Sequence, residues 1–150
     1  KDKPLLIGGG VGVPPLFALA KKLISLNQNP VAVLGFESKR DIFYKDEFES
    51  LGIETYVSTN DGSYGQKGFV THCISINKLN FDYFYACGPV SMLMSLCSCL
   101  DTDGQISLEE RMGCGFGACM GCSIMTKKGS RRVCYDGPVF NKEDMLWDVI

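Results

Sequence analysis

Four cysteines in the C-terminal third of the chain have the spacing of ligands to an iron–sulfur cluster. They are Cys114, Cys119, Cys122 and Cys134, in the pattern C-x4-C-x2-C-x11-C. A 2Fe-2S cluster takes four thiolates, and the plant-type pattern places three of them in one tight loop and the fourth later in the chain. Glycines alternate with these cysteines and allow backbone N–H groups to point at the sulfurs. The spacing therefore predicts that the four thiolates bind a 2Fe-2S cluster.

Two other uses of four cysteines remain open on spacing alone. A structural zinc site also takes four thiolates, but it usually arranges them in two short C-x2-4-C units, whereas here one unit is expanded and Cys134 stands alone. Disulfides are typical of small, loop-rich secreted domains. We expect no secretory signal for this chain, whose composition is that of an enzyme, so disulfides are the weaker alternative.

A glycine-rich turn near the N-terminus has the properties of a phosphate-binding loop. The apolar run that begins at Pro4 ends in the glycines Gly8, Gly9, Gly10 and Gly12, and leucines then recur at helical spacing. In a strand–turn–helix unit of this kind, phosphate oxygens approach bare backbone at a helix N-terminus, where unpaired N–H groups favour an anion. We expect the four glycines to bind a dinucleotide pyrophosphate, although they do not follow the G-x-G-x-x-G fingerprint.

Polar residues after the second and third predicted strands could contact the adenosine half of a dinucleotide. Glu37 follows the apolar run 31–36, where a carboxylate can accept hydrogen bonds from ribose hydroxyls and repel a 2′-phosphate. This position favours NAD, while the basic residues that follow Glu37 keep NADP open. Asp61 and Ser63 lie in a glycine-dense loop at the carboxyl end of the next strand, the edge at which open α/β sheets bind ligands. Solvated surface roles for these three residues remain open.

Strands and helices alternate along most of the chain, which predicts an α/β fold. The predicted strands are 4–7, 31–36, 53–57, 81–86 and 105–108. Their alternation with helical patterns predicts a doubly wound five-stranded parallel sheet with right-handed connections. The fourth strand runs into Cys87, Gly88 and Pro89, a second tight turn before a helix, where we expect Cys87 to lie beside a nicotinamide ring.

We predict two units within the chain, an NAD-binding domain over 1–108 and a small C-terminal 2Fe-2S lobe over 109–150. In the lobe, two short runs on either side of Gly129 predict a hairpin that returns Cys134 to the other three cysteines. The chain begins with Lys1 rather than Met and enters a strand almost at once, so we expect it to be part of a longer protein.

The overall charge and hydropathy exclude two classes of partner. Fifteen basic and seventeen acidic residues give a net charge of -2, which does not favour nucleic acid as a partner. No apolar run approaches the roughly 18 to 20 residues that span a bilayer, so we expect no membrane association. Reduced thiols are typical of the cytoplasm, which is the location we expect.

Three segments together resemble the nucleotide-binding half of the ferredoxin-NADP reductase superfamily. They are the glycine turn 8–15, the loop 61–65 and the turn 85–89. The final third narrows this resemblance, because the segment 107–122 together with 133–140 is similar to the electron-transfer subunits of dihydroorotate dehydrogenase B. The resemblance covers essentially all 150 residues. In that family an N-terminal FAD-binding barrel precedes these two units, and we expect that domain to be absent from this chain.

The resemblance implies an oxidoreductase component that passes electrons between NAD(H), FAD and the 2Fe-2S cluster. NADH delivers two electrons as a hydride and the cluster accepts one, so a flavin must stand between them. The implied partner is an FMN-containing dihydroorotate dehydrogenase catalytic subunit in pyrimidine biosynthesis, assembled with this subunit as a heterotetramer. By the same resemblance, the four cysteines are cluster ligands, Gly8 to Gly12 form the pyrophosphate loop, and Cys87 to Pro89 form the nicotinamide turn.

Two alternatives remain open beside this function. The first is a related iron–sulfur flavoprotein reductase subunit, of the sulfite reductase, hydrogenase or NADH-ferredoxin transhydrogenase type, which shares the lobes but serves another partner. The second is a module without catalytic function that binds a nucleotide or a structural metal.

Overall fold

The computed structural model describes residues 2–147. Within these residues the strands are β1 (Pro4–Gly9), β2 (Val31–Phe36), β3 (Glu54–Thr59), β4 (Gln66–Lys67), β5 (Tyr83–Cys87), β6 (Gly104–Ser107), β7 (Ser123–Thr126), β8 (Gly129–Arg132) and β9 (Val139–Asn141). The helices are α1 (Val13–Ser25), α2 (Lys45–Ser50), α3 (Val70–Ile76), α4 (Val90–Cys99) and α5 (Val133–Asp136). None of the helices in this part of the chain is long and apolar enough to span a bilayer.

The main sheet is parallel except at one edge. Its strand order is β4-β3-β2-β1-β5-β6-β9, and only β9 runs antiparallel to its neighbour. All six residues of β1 are buried, as expected for a central parallel strand that is covered on both faces. The predicted doubly wound α/β fold is therefore confirmed.

The sheet has two more strands than the five expected from the sequence. In the described part of the chain, the two-residue strand β4 adds to one edge and the three-residue strand β9 adds to the other. Strands this short carry too few residues to give a recognisable alternation. β4 pairs with the longer strand β3, and β9 pairs with the longer strand β6.

Helices cover both faces of the sheet, and successive residues of β1 contribute to the cores on opposite faces. Leu6 packs in the core formed with α1 and α2, which includes the fully buried Phe48. Leu5 and Ile7 pack in the core formed with α3 and α4. Because successive side chains of a strand point to opposite faces, one strand contributes to both layers.

The C-terminal lobe shares the second of these cores. β7 and β8 form the expected antiparallel hairpin, and β9 pairs with β6 through Phe140 opposite Ile106. Phe140, Cys122 and Val133 belong to the same buried cluster as β1 and β5. The cysteine segment is therefore attached to the sheet by a continuous apolar core. Residues 148–150 of the predicted C-terminal lobe lie outside the described residues.

Candidate functional site

A cavity opens at the carboxyl edge of the parallel strands. Its volume is about 400 Å³, which is in the range of pockets for small organic ligands. It lies beside the ends of β1, β2 and β3 and the first turns of α3 and α4, and its lining residues are Gly9, Gly10, Gly35, Phe36, Glu37, Ser58, Asn60, Gly68, Phe69, Val70, Thr71, Pro89, Ser91, Met92 and Ser95. This is the edge at which open α/β sheets bind nucleotides.

The four glycines of the N-terminal turn have two different positions. Gly9 and Gly10 line the cavity, where a dinucleotide pyrophosphate could approach the backbone. Gly8 and Gly12 lie behind it, and a Cβ on Gly12 would stand 2.1 Å from the carbonyl oxygen of Cys87. Gly12 therefore allows the start of α1 to pack directly against the end of β5.

The turn at residues 87–89 borders the same cavity. Pro89 lines it, and α4 begins at the next residue with Ser91, Met92 and Ser95 turned towards the cavity. Cys87 is buried and does not line the cavity, and its burial raises the pKa of its thiol. A Cβ on Gly88 would lie 3.0 Å from the Cα of Gly9, so the two glycine turns pack against each other.

The carboxylate of Glu37 is held at the cavity wall. Asn60 donates from Nδ2 to Glu37 Oε1 over 2.8 Å. Glu37 is the one charged side chain among the described residues that line the cavity. The wall therefore carries a fixed hydrogen-bond acceptor, and residues 2–147 contribute no lysine or arginine to it that would neutralise an additional phosphate.

Asp61 and Ser63 brace a loop outside the cavity lining. Ser63 donates to Asp61 Oδ1 from its backbone N–H (2.9 Å) and its hydroxyl (2.6 Å), and its hydroxyl oxygen accepts from the backbone N–H of Lys39 (2.7 Å). The hydrogen bonds from Ser63, led by that of its hydroxyl, lower the pKa of Asp61. Direct contact of Asp61 and Ser63 with a nucleotide remains a prediction.

Ser58 and Asn60 are among the cavity residues that the sequence analysis did not name. Ser58 and Asn60 lie at the end of β3 and line the cavity, whereas Thr59 between them is turned into the protein. The Ser58 hydroxyl is buried and has no hydrogen-bond partner within the described residues. The available signal was strand alternation, which places residues 58 and 60 on the same face and residue 59 on the other.

The four cysteines lie in two pairs. The backbone N–H of Cys119 donates to Cys114 Sγ over 3.4 Å, and that of Cys134 donates to Cys122 Sγ over 3.4 Å. The two thiols of each pair are also in hydrogen-bond contact. Within residues 2–147, no three Cys, His, Asp or Glu side chains are gathered around a single metal position. Because each iron of a 2Fe-2S cluster takes two of the four thiolates, this donor set fits the cluster.

The hairpin brings the second pair together. Cys122 immediately precedes β7 and Cys134 follows β8 within α5, so the two strands carry both residues to the open end of the hairpin. The backbone N–H of Val133 donates to the carbonyl of Cys122 over 3.0 Å. The fourth cysteine therefore reaches the others through strand pairing, although it is distant in the sequence.

Backbone N–H groups favour thiolates in both pairs. Hydrogen bonds from the backbone of Cys119 and then Phe116 lower the pKa of Cys114 to about 6. The backbone N–H of Cys134 lowers the pKa of Cys122, while the hydrogen bond of the Cys134 thiol to Cys122 raises the pKa of Cys134. Thiolates are the form that binds metal, so the backbone stabilises that form at one cysteine of each pair, Cys114 and Cys122.

Cys97 and Cys99 lie outside the two pairs, and their side chains differ in burial. Burial raises the pKa of Cys97 to about 11, while Cys99, two residues later, is exposed. Since the thiolate is the reactive form, we expect iodoacetamide at pH 8 to alkylate Cys97 about a hundredfold more slowly than Cys99. Fragment-ion mass spectrometry of a labelling time course measures both rates. The half-buried Cys97 thiol also contributes stability that is fully present below its unfolded-state pKa and is lost as pH rises from that value through the folded-state pKa of about 11.

Denatured protein is the matched control for this labelling, since both cysteines should then react at similar rates. Equal rates in the native protein would contradict the packing of Cys97 against the buried core.

Two sequence families match successive parts of the chain. Residues 6–98 match the oxidoreductase NAD-binding domain, and residues 109–146 match the iron–sulfur cluster binding domain of dihydroorotate dehydrogenase B. The first of these alone covers more than half of the 150 residues. All the residues that line the cavity lie within the first match, and the four cysteines lie within the second.

Relatives with high sequence identity carry one name. The chain is 52% identical over 147 residues to the dihydroorotate dehydrogenase B (NAD(+)) electron transfer subunit of Fusobacterium nucleatum, with 94% of this chain and 56% of that protein covered. It is 50% identical over 145 residues to the subunit of the same name from Bacillus pumilus, with the same coverage of 94% and 56%. The chain therefore spans about half the length of these relatives.

A solved structure has the same arrangement of both units. It is the NADH-dependent reduced ferredoxin-NADP oxidoreductase, which is 32% identical, superposes with a TM-score of 0.86, and matches 97% of this chain and 54% of its own. The resemblance expected from the cysteine segment and the glycine turns is thus confirmed. The chain belongs to the oxidoreductase NAD-binding domain family and carries, after that domain, an iron–sulfur cluster binding domain of the dihydroorotate dehydrogenase B type.

Proposed function

We propose that this chain is the nucleotide-binding and cluster-binding part of an electron-transfer subunit of dihydroorotate dehydrogenase B. In this role it passes electrons between NAD(H), FAD and a 2Fe-2S cluster, to or from an FMN-containing catalytic subunit in pyrimidine biosynthesis. The observation that carries the proposal is the presence, in one folded chain, of a nucleotide-sized cavity and two pairs of contacting thiols. The cluster, when bound, supplies one-electron transfer.

The residues of the chain have separate tasks in this function. The pyrophosphate lies against the backbone of Gly9 and Gly10. The carboxylate of Glu37 accepts hydrogen bonds from the adenosine ribose. The unpartnered hydroxyl of Ser58 gains a partner when the nucleotide enters the cavity. Cys114 and Cys119 would hold one iron of the cluster, and Cys122 and Cys134 would hold the other. We propose the domain boundary near residue 108, where the sheet gives way to the cysteine segment.

Apolar side chains around the cysteine segment support a protein partner. Met112, Phe116, Met120 and Tyr135 are exposed near the four cysteines, and exposed apolar patches mark interaction surfaces. We propose that the FMN-containing catalytic subunit covers them, in a heterotetramer of two copies of each subunit. Free thiolate ligands require a reducing compartment, which supports a cytoplasmic location.

Replacement of Glu37 by glutamine tests the choice of nucleotide. Glu37→Gln removes the charge that accepts the ribose hydrogen bonds and repels a 2′-phosphate, so we expect affinity for NADH to fall about tenfold, since a hydrogen bond to a charged group contributes roughly 1.5 to 3 kcal/mol. Affinity for NADPH should stay constant or rise. Fluorescence titrations with both nucleotides measure the change.

Glu47→Gln is the matched control, because Glu47 is exposed on α2 and does not line the cavity. If Glu37→Gln keeps the unmodified protein's ratio of NADH affinity to NADPH affinity, Glu37 does not discriminate between the two nucleotides.

A second candidate function has its own support. The superposition with the NADH-dependent reduced ferredoxin-NADP oxidoreductase favours a subunit that exchanges electrons with ferredoxin instead. Identity is 32% with that chain but 52% with the electron transfer subunit of Fusobacterium nucleatum. This difference supports the dihydroorotate function over the second candidate.

The two candidates predict different electron donors for the same cluster. The chain with its cluster reconstituted is mixed, without oxygen, with the FMN-containing catalytic subunit from Fusobacterium nucleatum and then with dihydroorotate. We expect the visible absorbance of the cluster to bleach and a rhombic EPR signal to develop. Bleaching by reduced ferredoxin alone, with no response to dihydroorotate, would favour the second candidate.

A further inference from the structure

One arginine links the two cysteine pairs. Arg132 lies at the end of β8, two residues before Cys134, and its Nη1 donates to the backbone carbonyl of Gly117 over 2.9 Å. Gly117 lies in the loop between Cys114 and Cys119, which form the first pair. The guanidinium therefore bridges the three-cysteine loop and the segment that carries the fourth cysteine.

The guanidinium is held in place on two further sides. Its Nε donates to Asp136 Oδ2 over 3.3 Å, and the same oxygen accepts from the Arg132 backbone N–H over 2.8 Å. Its Cζ lies 4.6 Å from the ring centroid of Tyr135. A side chain fixed by a carboxylate and an aromatic face loses little additional entropy when it binds the loop.

The Gly117 backbone fits closely against this side chain. Gly117 has a φ of +90°, and a Cβ at this position would stand 3.0 Å from Tyr135 Cβ and 3.2 Å from Arg132 Nη1. The loop can approach the guanidinium this closely because the residue is glycine.

The peptide group that Arg132 binds also faces the cysteine sulfurs. The carbonyl of Gly117 and the N–H of Ala118 belong to one planar trans peptide, so they point in opposite directions. With the carbonyl bound to Arg132, the Ala118 N–H donates to Cys114 Sγ over 3.2 Å. The N–H of Gly117 itself points towards the sulfur of Cys134.

We infer that Arg132 is a positioning residue: it holds the Gly117–Ala118 peptide in the orientation that donates to Cys114, and so raises the reduction potential of the cluster. The inference rests on the proposed cluster. Hydrogen bonds to the sulfurs and local charge are among the factors that set cluster potentials. A donor held at a ligand sulfur favours the reduced state, which carries one more negative charge.

Three variants separate positioning from charge alone. Arg132→Lys keeps the positive charge but lacks the planar fork that reaches both Gly117 and Asp136. Arg132→Gln removes the charge as well. Arg131→Gln is the matched control, because Arg131 lies 3.9 Å from Asp136 Oδ1 and makes no hydrogen bond to the cysteine loop among the described residues.

The measurements are a potentiometric titration of the reconstituted 150-residue chain, followed by EPR, and the rate at which a chelator removes the iron. We expect both Arg132 variants to have a more negative potential than the unmodified chain and to lose iron about 10- to 100-fold faster, as for other partners of metal ligands. Arg131→Gln should match the unmodified chain in both.

The outcomes distinguish this inference from the proposed function. If Arg132→Lys has the potential of the unmodified chain, or if Arg131→Gln shifts as much as Arg132→Gln, the positioning role is wrong. If an Arg132 variant loads no cluster while its cluster-free form melts at the unmodified temperature and Arg131→Gln loads normally, positioning is supported. An unmodified chain that binds no 2Fe-2S cluster would overturn the proposed function itself.

Discussion

Cys134→Ser is expected to abolish the visible absorbance and EPR signal of the reconstituted cluster while the sheet stays folded. Cys134 is the ligand that the hairpin supplies to the pair with Cys122, and a serine hydroxyl is a poor substitute for a thiolate at iron. The other three thiolates then leave one iron with a single cysteine ligand. Anaerobic reconstitution followed by absorption, EPR and iron analysis measures the loss.

Cys99→Ser is the matched control, since Cys99 is exposed on α4 and belongs to neither pair. It should retain the full iron content and spectrum. An unmodified protein that is colourless and holds one zinc ion would contradict the cluster assignment, and a Cys134→Ser protein with the unmodified spectrum would exclude Cys134 as a ligand.

Gly12→Ala is expected to destabilise the nucleotide-binding part of the chain more than most surface changes could. The added Cβ would stand 2.1 Å from the carbonyl oxygen and 2.4 Å from the carbonyl carbon of Cys87. Backbone atoms cannot rotate away as a side chain does, so α1 must shift from β5. We expect a loss of at least about 3 kcal/mol of unfolding free energy, which corresponds to a melting temperature about 10 °C lower for a chain of this size.

The same shift should weaken nucleotide binding, because it moves Gly10 and Pro89 on either side of the cavity. Thermal unfolding by circular dichroism and an NADH titration measure the two effects. Gly52→Ala is the control: Gly52 has a φ of +76° with open space around it, so the change should cost about 1 kcal/mol and leave NADH affinity intact. Equal melting temperatures for the two variants would contradict close packing at Gly12.

Local patterns were sufficient to predict the central architecture. Near-continuous apolar runs identified β1 and β2, and each was followed by residues that now border the cavity. Glu37 was predicted from its place after the second strand, and it lines the cavity. Parallel strands end at one edge of the sheet, so a residue that follows a strand in the sequence lies at that edge; the contact of Glu37 with a nucleotide stays a prediction.

The contacts of polar loop residues could not be predicted from their position after a strand. Asp61 and Ser63 have the polarity of ligand-binding residues, but their side chains bond to each other and to the backbone at Lys39. Ser58 and Asn60 line the cavity instead. Composition cannot distinguish these pairs, because the partner of a polar loop residue depends on how the loop packs against the neighbouring loop.

The sequence by itself determined the donor set of the C-terminal lobe, because the types and spacing of Cys114, Cys119, Cys122 and Cys134 supply three thiols in one loop and a fourth later in the chain. It also determined the α/β class through the periodicity of its apolar runs. Only the tertiary structure decided which cysteines pair, that the lobe shares the core of the sheet, and that Arg132 reaches the carbonyl of Gly117. These contacts join residues distant in the chain, and their geometry follows from strand pairing and core packing rather than from any local pattern.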